Sequence, residues 1–236
     1  MQEESKGLLA IWADIDADYH LEFEKWHNCE HMADRVTIPG FLVGYRYQGI
    51  GASPYSLMAY ETADSSVLES EPYLRSKNNP TPWSREAFSH YRNTERMVYN
   101  LVASIGKRPS TQAPYLLGVR FDPESENEAE TVEALQEGFL GRIAALPAVG
   151  RARLYRVDEK ISDIVTEERR IYGGGPKRRQ RFLALAEIPS GPLPENDICR
   201  DLCWQACQGG KEFNGIKYVS ESRYWLRFVM QAPDLR

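Results

Sequence analysis

Cysteine and histidine are scarce in this chain, four of each among 236 residues. The cysteines, Cys29, Cys199, Cys203 and Cys207, form no C-x2-C pair of the kind that grips zinc. The last three recur every fourth residue, which stacks them along one helical face. Such a stripe reads as small apolar side chains facing a core, in a reduced, cytoplasmic protein. Long hydrophobic runs are missing too, and nothing approaches the roughly 20 apolar residues of a membrane-spanning helix. Residues 1–6 are polar and acidic, unlike a secretory leader. Nor is positive charge in excess: 29 Lys and Arg stand against 34 Asp and Glu, a net charge of −5. That balance argues against nucleic acid or an anionic membrane as the partner. The glycine run from Gly173 to Gly175, followed by Pro176 and Lys177 to Arg179, lacks the pattern of a P-loop and reads as a solvated loop.

What is present is one pattern written twice. Gly7 to Asp14 (GLLAIWAD) lines up with Tyr115 to Asp122 (YLLGVRFD), and Ile38-Pro39-Gly40-Phe41 with Leu146-Pro147-Ala148-Val149. Later correspondences, Tyr60-Glu61 with Ala186-Glu187 and Arg96 with Arg223, sit about 18 residues further apart, so the second copy carries an insertion within 158–176. Strands at 7–14, 41–49, 55–61 and 94–104, with helices over about 18–35, 64–76 and 83–91, give the order β-α-β-β-α-β. The second copy repeats it, with strands at 115–121, 149–157, 181–188 and 222–230 and helices over about 127–145 and 195–208. The expected fold is α+β, two tandem ferredoxin-like βαββαβ repeats: residues 1–105, a Pro/Ser/Thr-rich linker at 106–114, and 115–236.

Only the first copy carries histidine: His20, His27 and His31 on its first helix, and His90 before its last strand. This implies one working half and one structural half. His27-Asn28-Cys29-Glu30-His31 matches H-x-x-E-H, in which two histidines four apart hold a metal and the glutamate acts as base. No third ligand follows on a second helix, so no metal is expected, with a divalent ion at His27 and His31 as the lesser alternative. On a helical wheel Tyr19, Phe23, Trp26, Cys29, Ala33 and Val36 form the apolar face, with Glu30 at its edge. His20, His27 and His31 gather on a more polar side. Glu30 and His31 then diverge by about 100° on a straight helix.

Trp26-His27-x-x-Glu30-His31, Ile38-Pro39-Gly40-Phe41, Tyr45-Arg46-Tyr47, Tyr73 and Asn79-Pro80-Thr81-Pro82-Trp83 resemble the dimeric α/β-barrel superfamily, its EthD-like branch above all. The resemblance covers about residues 10–100 and reaches the second copy only at the level of fold. It implies that the two antiparallel sheets pair into an α/β barrel, with a pocket between sheet and helices. It also implies a homodimer as a possible assembly. By matching position His31, Glu30 and His27 are the candidate acid/base residues, and Arg46 holds an anion or oxyanion. Trp12, Tyr47, Tyr73 and Trp83 line the pocket, and Asn79 belongs to a loop over it. Superfamily members include isomerases, dehydratases, lyases, cofactor-free oxygenases and haem proteins. The leading expectation is a cofactor-independent isomerase, lyase or dehydratase acting on a small cyclic or aromatic-derived organic acid. The alternatives are an oxygenase, haem-dependent or cofactor-free, and a non-catalytic ligand-binding barrel.

Overall fold

Strand alternation decides which residues face which side. Along β1 (Gly7–Ile15), Leu8, Ala10 and Trp12 belong to one buried cluster, and Leu9, Ile11 and Ala13 to another. The same division runs through β2 (Phe41–Ile50), β3 (Ser56–Thr62) and β4 (Tyr91–Gly106). The computed structural model describes residues 5–51, 53–107, 112–123, 132–133, 135–173, 180–190 and 216–233. With β5 (Tyr115–Pro123), β6 (Arg151–Val157), β7 (Phe182–Ile188) and β8 (Ile216–Gln231), the strands close into one antiparallel barrel in the order β1-β3-β2-β8-β5-β7-β6-β4. Closure leaves no unpaired sheet edge.

The ladder of β5 has the form of that of β1. Gly7 faces Thr62 and Tyr115 faces Ile188, the positions expected from the sequence correspondence. Leu9 faces Val98, whereas Leu117 faces Arg223, two residues short of the match read from the sequence. A shift of two keeps every side chain on its face, so the pattern survives it. Each sixteen-residue strand is shared: β4 pairs with β1 and then with β6, and β8 with β5 and then with β2.

The lumen is filled by Trp12, Tyr45, Tyr47, Tyr99, Tyr155 and Tyr224 among aliphatic side chains. Four charged residues are buried with them. Arg153 donates to Glu61 (2.6 Å) and Glu187 (2.8 Å), and Arg151 also pairs with Glu187. Two guanidiniums and two carboxylates neutralise each other, the condition under which buried charge is tolerated.

Helices cover the outer face of the first four strands. A 3-10 turn (Ala17–Tyr19), α1 (His20–Trp26), a π turn (His27–His31) and α2 (Met32–Val36) form one continuous rod. Gly40 turns the chain into β2 with φ of 91°, a left-handed conformation that favours glycine. Gly44 lets α2 lie against the sheet, since a Cβ there would meet Met32 Sδ at 2.1 Å. After a 3-10 turn (Ser65–Glu69) come α3 (Glu71–Asn78) and α4 (Pro82–Ser89), capped by the hydroxyls of Ser70 and Thr81. The helix expected over about 127–145 is seen as a π turn (Leu135–Leu140) running into α5 (Gly141–Ala144). The insertion holds α6 (Glu159–Ser162) and α7 (Glu167–Tyr172). The helix expected at 195–208, with Cys199, Cys203 and Cys207, and the loop residues 174–179 lie outside the described residues.

Candidate functional site

The H-x-x-E-H segment is the π turn itself: the N–H of Met32 reaches back to the carbonyl of His27. A single extra residue in an α-helix rotates all the residues after it, and such turns are frequent at functional sites. The rotation acts from within the turn onward, on Cys29 and His31; His27 stands at its start and is buried by its place one helical turn after Phe23. Cys29, expected on the apolar face, is exposed, and His27 and His31, expected on the polar side, are buried at 0% and 4%. Both imidazoles lie in the crevice between barrel wall and helices, which side chains fill, with ring centroids 5.6 Å apart. Trp26 lies 4.4 Å from His31, and Phe88 meets its ring edge-on at 5.6 Å.

Burial holds both imidazoles neutral. It pushes the pKa of His27 well below the ordinary value, helped by Arg46 and Arg35. His31 is pushed down likewise, by burial first and then by Arg35, His27 and Lys77. His27 Nε2 shares a hydrogen bond of 3.2 Å with the hydroxyl of Tyr60. Nδ1 of His27 and Nδ1 of His31 have no hydrogen-bond partner among the described residues. Buried ring nitrogens left unsatisfied are rare and call for a reason.

The other expected site residues divide among different surroundings. Glu30 accepts from Thr81 Oγ1 (2.6 Å) and Ser84 Oγ (3.1 Å), which ties the π turn to the start of α4. Arg46 donates to Glu24 and Asn28, each at 3.0 Å, and its charge is already answered. Tyr73 is buried in the crevice, stacked on Phe41, and Trp83 packs against the same cluster. Trp12 and Tyr47 face the lumen, on the opposite side of the barrel wall. Asn79 is exposed and donates to the carbonyl of Arg75. The structure therefore places His27, His31, Tyr73 and Trp83 on the helix-covered side of the barrel wall, apart from Trp12 and Tyr47 in the lumen and from the exposed Asn79.

A cluster absent from the sequence reading lies beside the histidines. Arg35, Lys77 and Arg96 are all 5% exposed or less. Arg35 and Lys77 both donate to Glu168 of α7, itself 1% exposed, and Arg96 donates to the hydroxyl of Tyr73 at 3.2 Å. Three cations around one carboxylate leave a buried excess of positive charge. Tyr73 registers it: burial raises its pKa, but Arg96, Lys77 and Arg35 outweigh burial and bring it below the ordinary phenol range. Arg35 stands one helical turn beyond His31, which was the available signal for it. Glu168 had none beyond the insertion that carries it.

No family model and no curated protein matches the chain. Solved structures do. An anthrone oxidase-like protein shares 10% identity at a TM-score of 0.61, over 99% of this chain and 95% of its own. A candidate monooxygenase from Fusobacterium nucleatum shares 8% at 0.57, over 96% and 95%. A chlorite dismutase from Candidatus Nitrospira defluvii, in complex with cyanide, shares 13% at 0.55, over 95% and 92%. The expectation of a cofactor-free protein is corrected here, because the chlorite dismutases that share this barrel are haem proteins. The crevice itself does not fit haem: Trp26, Phe88 and Tyr60 already occupy the surroundings of both imidazoles. Among the described residues there is no group of three or more His, Cys, Asp or Glu placed to hold a metal ion, and no helix long and apolar enough to cross a membrane. At these identities the likeness shows the fold alone, a closed α+β barrel.

Proposed function

We propose that the chain is an oxygenase-type enzyme acting on a small organic molecule in the crevice between barrel wall and helices. The observation that carries this is the pair of buried, neutral imidazoles with unpartnered Nδ1 atoms. Both imidazoles are neutral at physiological pH, and their free Nδ1 atoms are open to a proton of a bound molecule. Burial and the nearby cations make them weaker bases than free imidazole. His31 takes a proton from the substrate, and His27, fixed by Tyr60, holds the neighbouring ring in place. Deprotonation leaves the substrate electron-rich, the form that reacts with dioxygen. Tyr73 and Trp83 line the crevice, Glu30 positions α4, and Arg46 holds α1 to β2.

The names of the structural neighbours support oxidation over isomerisation, elimination or lactone opening. The proposal includes two tandem ferredoxin-like repeats of the EthD-like kind, residues 1–105 with the site and 115–236 as the structural half, joined by 106–114. A homodimer belongs to it as well, and sedimentation velocity tests that part. The functional test is dioxygen uptake with a panel of acidic phenols and cyclic ketones. Uptake by the wild type that falls about 100-fold or more in His31→Ala supports the reading. Absence of uptake across the panel, or a rate indifferent to His31→Ala, overturns it.

A further inference from the structure

Glu168 reaches the crevice from the insertion, a segment the first half of the chain does not possess. Its carboxylate is shared by Arg35 and Lys77, with Arg96 and the Tyr73 hydroxyl in the same cluster. We propose that Glu168 is a place-holder for a ligand carboxylate: Arg35 and Lys77 form a site for a small aromatic acid, which enters by exchanging with Glu168 as α7 lifts. The inference rests on the crevice being the ligand site, and it adds the charge of the ligand and the group that the ligand displaces.

Three observations carry it. The first is charge. With Glu168 seated, three buried cations face one carboxylate, so the cluster accepts negative charge and does not need this particular carboxylate to supply it. The second is how α7 is held. It has six residues, far below the length at which a helix is stable alone, so its position depends on what it touches. Apart from Glu168 it is fastened by Ile171 and Tyr172 against the core, and by Arg169 donating to the carbonyls of Ser162 (2.7 Å) and Ile164 (3.2 Å), which lie within the insertion itself. Glu167 adds a bond from its N–H to Asn78 Oδ1 (3.0 Å) and an exposed pair with Arg85 (3.3 Å). Exposed pairs of this kind contribute little. Gly173 ends the helix with φ of 66°, a left-handed conformation that favours glycine. The third is the surroundings. Tyr91, Phe88 and Tyr73 present ring surface beside the cations, covered by Tyr172 of α7 until the helix lifts, which suits a carboxylate attached to an aromatic body.

Benzoate is the probe, with binding followed by calorimetry and backbone hydrogen exchange and no turnover required. The expected result is saturable binding to the wild type with faster exchange across 167–172, and binding about tenfold tighter in Glu168→Gln, where the competing charge is gone. Lys77→Met should lose the binding. No benzoate binding by the wild type, or binding with exchange at 167–172 unchanged, overturns the inference. Sulfate competing as well as benzoate overturns the assignment to carboxylates. Should Glu168→Gln fail to fold, the two wild-type readouts still decide the matter. Dioxygen uptake on uncharged substrates without benzoate binding would retain the oxygenase reading and discard this one.

Discussion

Glu61 on β3 and Arg153 on β6 meet across the barrel lumen at 2.6 Å, although their strands are not neighbours in the sheet. The pair joins the two halves of the chain from within, and both side chains are buried. Removing Glu61 leaves two buried guanidiniums, Arg151 and Arg153, on the single carboxylate of Glu187. Glu61→Ala should therefore cost about 3–5 kcal/mol of stability, whereas Glu61→Leu with Arg153→Leu should cost less. Urea unfolding of the two variants checks this. A single substitution no worse than the double would contradict the ion-pair account.

The strands were largely legible because they alternate, whereas their closure into a barrel was implied only by the resemblance. The correspondence of residues 7–14 with 115–122 matches the registers found for β1 and β5. The face of the first helix was not legible. A wheel assumes 3.6 residues per turn, and one added residue in the π turn rotates the rest by about 100°. Cys29 and His31 changed sides for that reason, whereas His27, at the start of the turn and one helical turn after Phe23, is buried without it. Arg46 and Tyr47 held a signal that a single pocket ignores: consecutive strand residues point to opposite faces, so both cannot line one site. Glu168 met its partners only through tertiary folding, 91 and 133 residues away in sequence.

The buried histidines set the acid side of the stability curve. Their pKa values in the folded chain lie below that of about 6.5 in the unfolded chain, so the unfolded state binds more protons as the pH falls. Stability is full above pH of about 6.5 and declines below it, by up to about 1.4 kcal/mol per pH unit for each histidine. Urea midpoints at successive pH values should show the decline, and His27→Gln with His31→Gln should flatten it. An unchanged slope in the double variant would contradict the assignment.

Trp26 Nε1 donates to Ser84 Oγ at 3.1 Å, and that hydroxyl donates to Glu30, so one chain of bonds links the π turn to α4. Glu30→Ala removes the acceptor at its end and should destabilise the fold by about 1–3 kcal/mol. Glu30→Gln keeps an oxygen at the same place and should lose less. Urea denaturation followed by circular dichroism distinguishes the two, and equal losses would show that the carboxylate charge, not the bond chain, matters.

Tyr73 should be the first buried tyrosine to ionise. Tyr47, Tyr60, Tyr91, Tyr155 and Tyr172 are all held above the ordinary phenol range by burial, while Tyr73 faces Arg96, Lys77 and Arg35. The phenolate has cations waiting for it, so its formation relieves the charge excess that Glu168 leaves uncompensated. Alkaline titration of the near-ultraviolet phenolate absorbance should show a step below the ordinary tyrosine range, and Tyr73→Phe should abolish that step. Replacing Arg96 with Met should move the step upward, because Arg96 donates directly to the Tyr73 hydroxyl. A titration in which Tyr73→Phe removes only a late step would mean that burial outweighs the three cations.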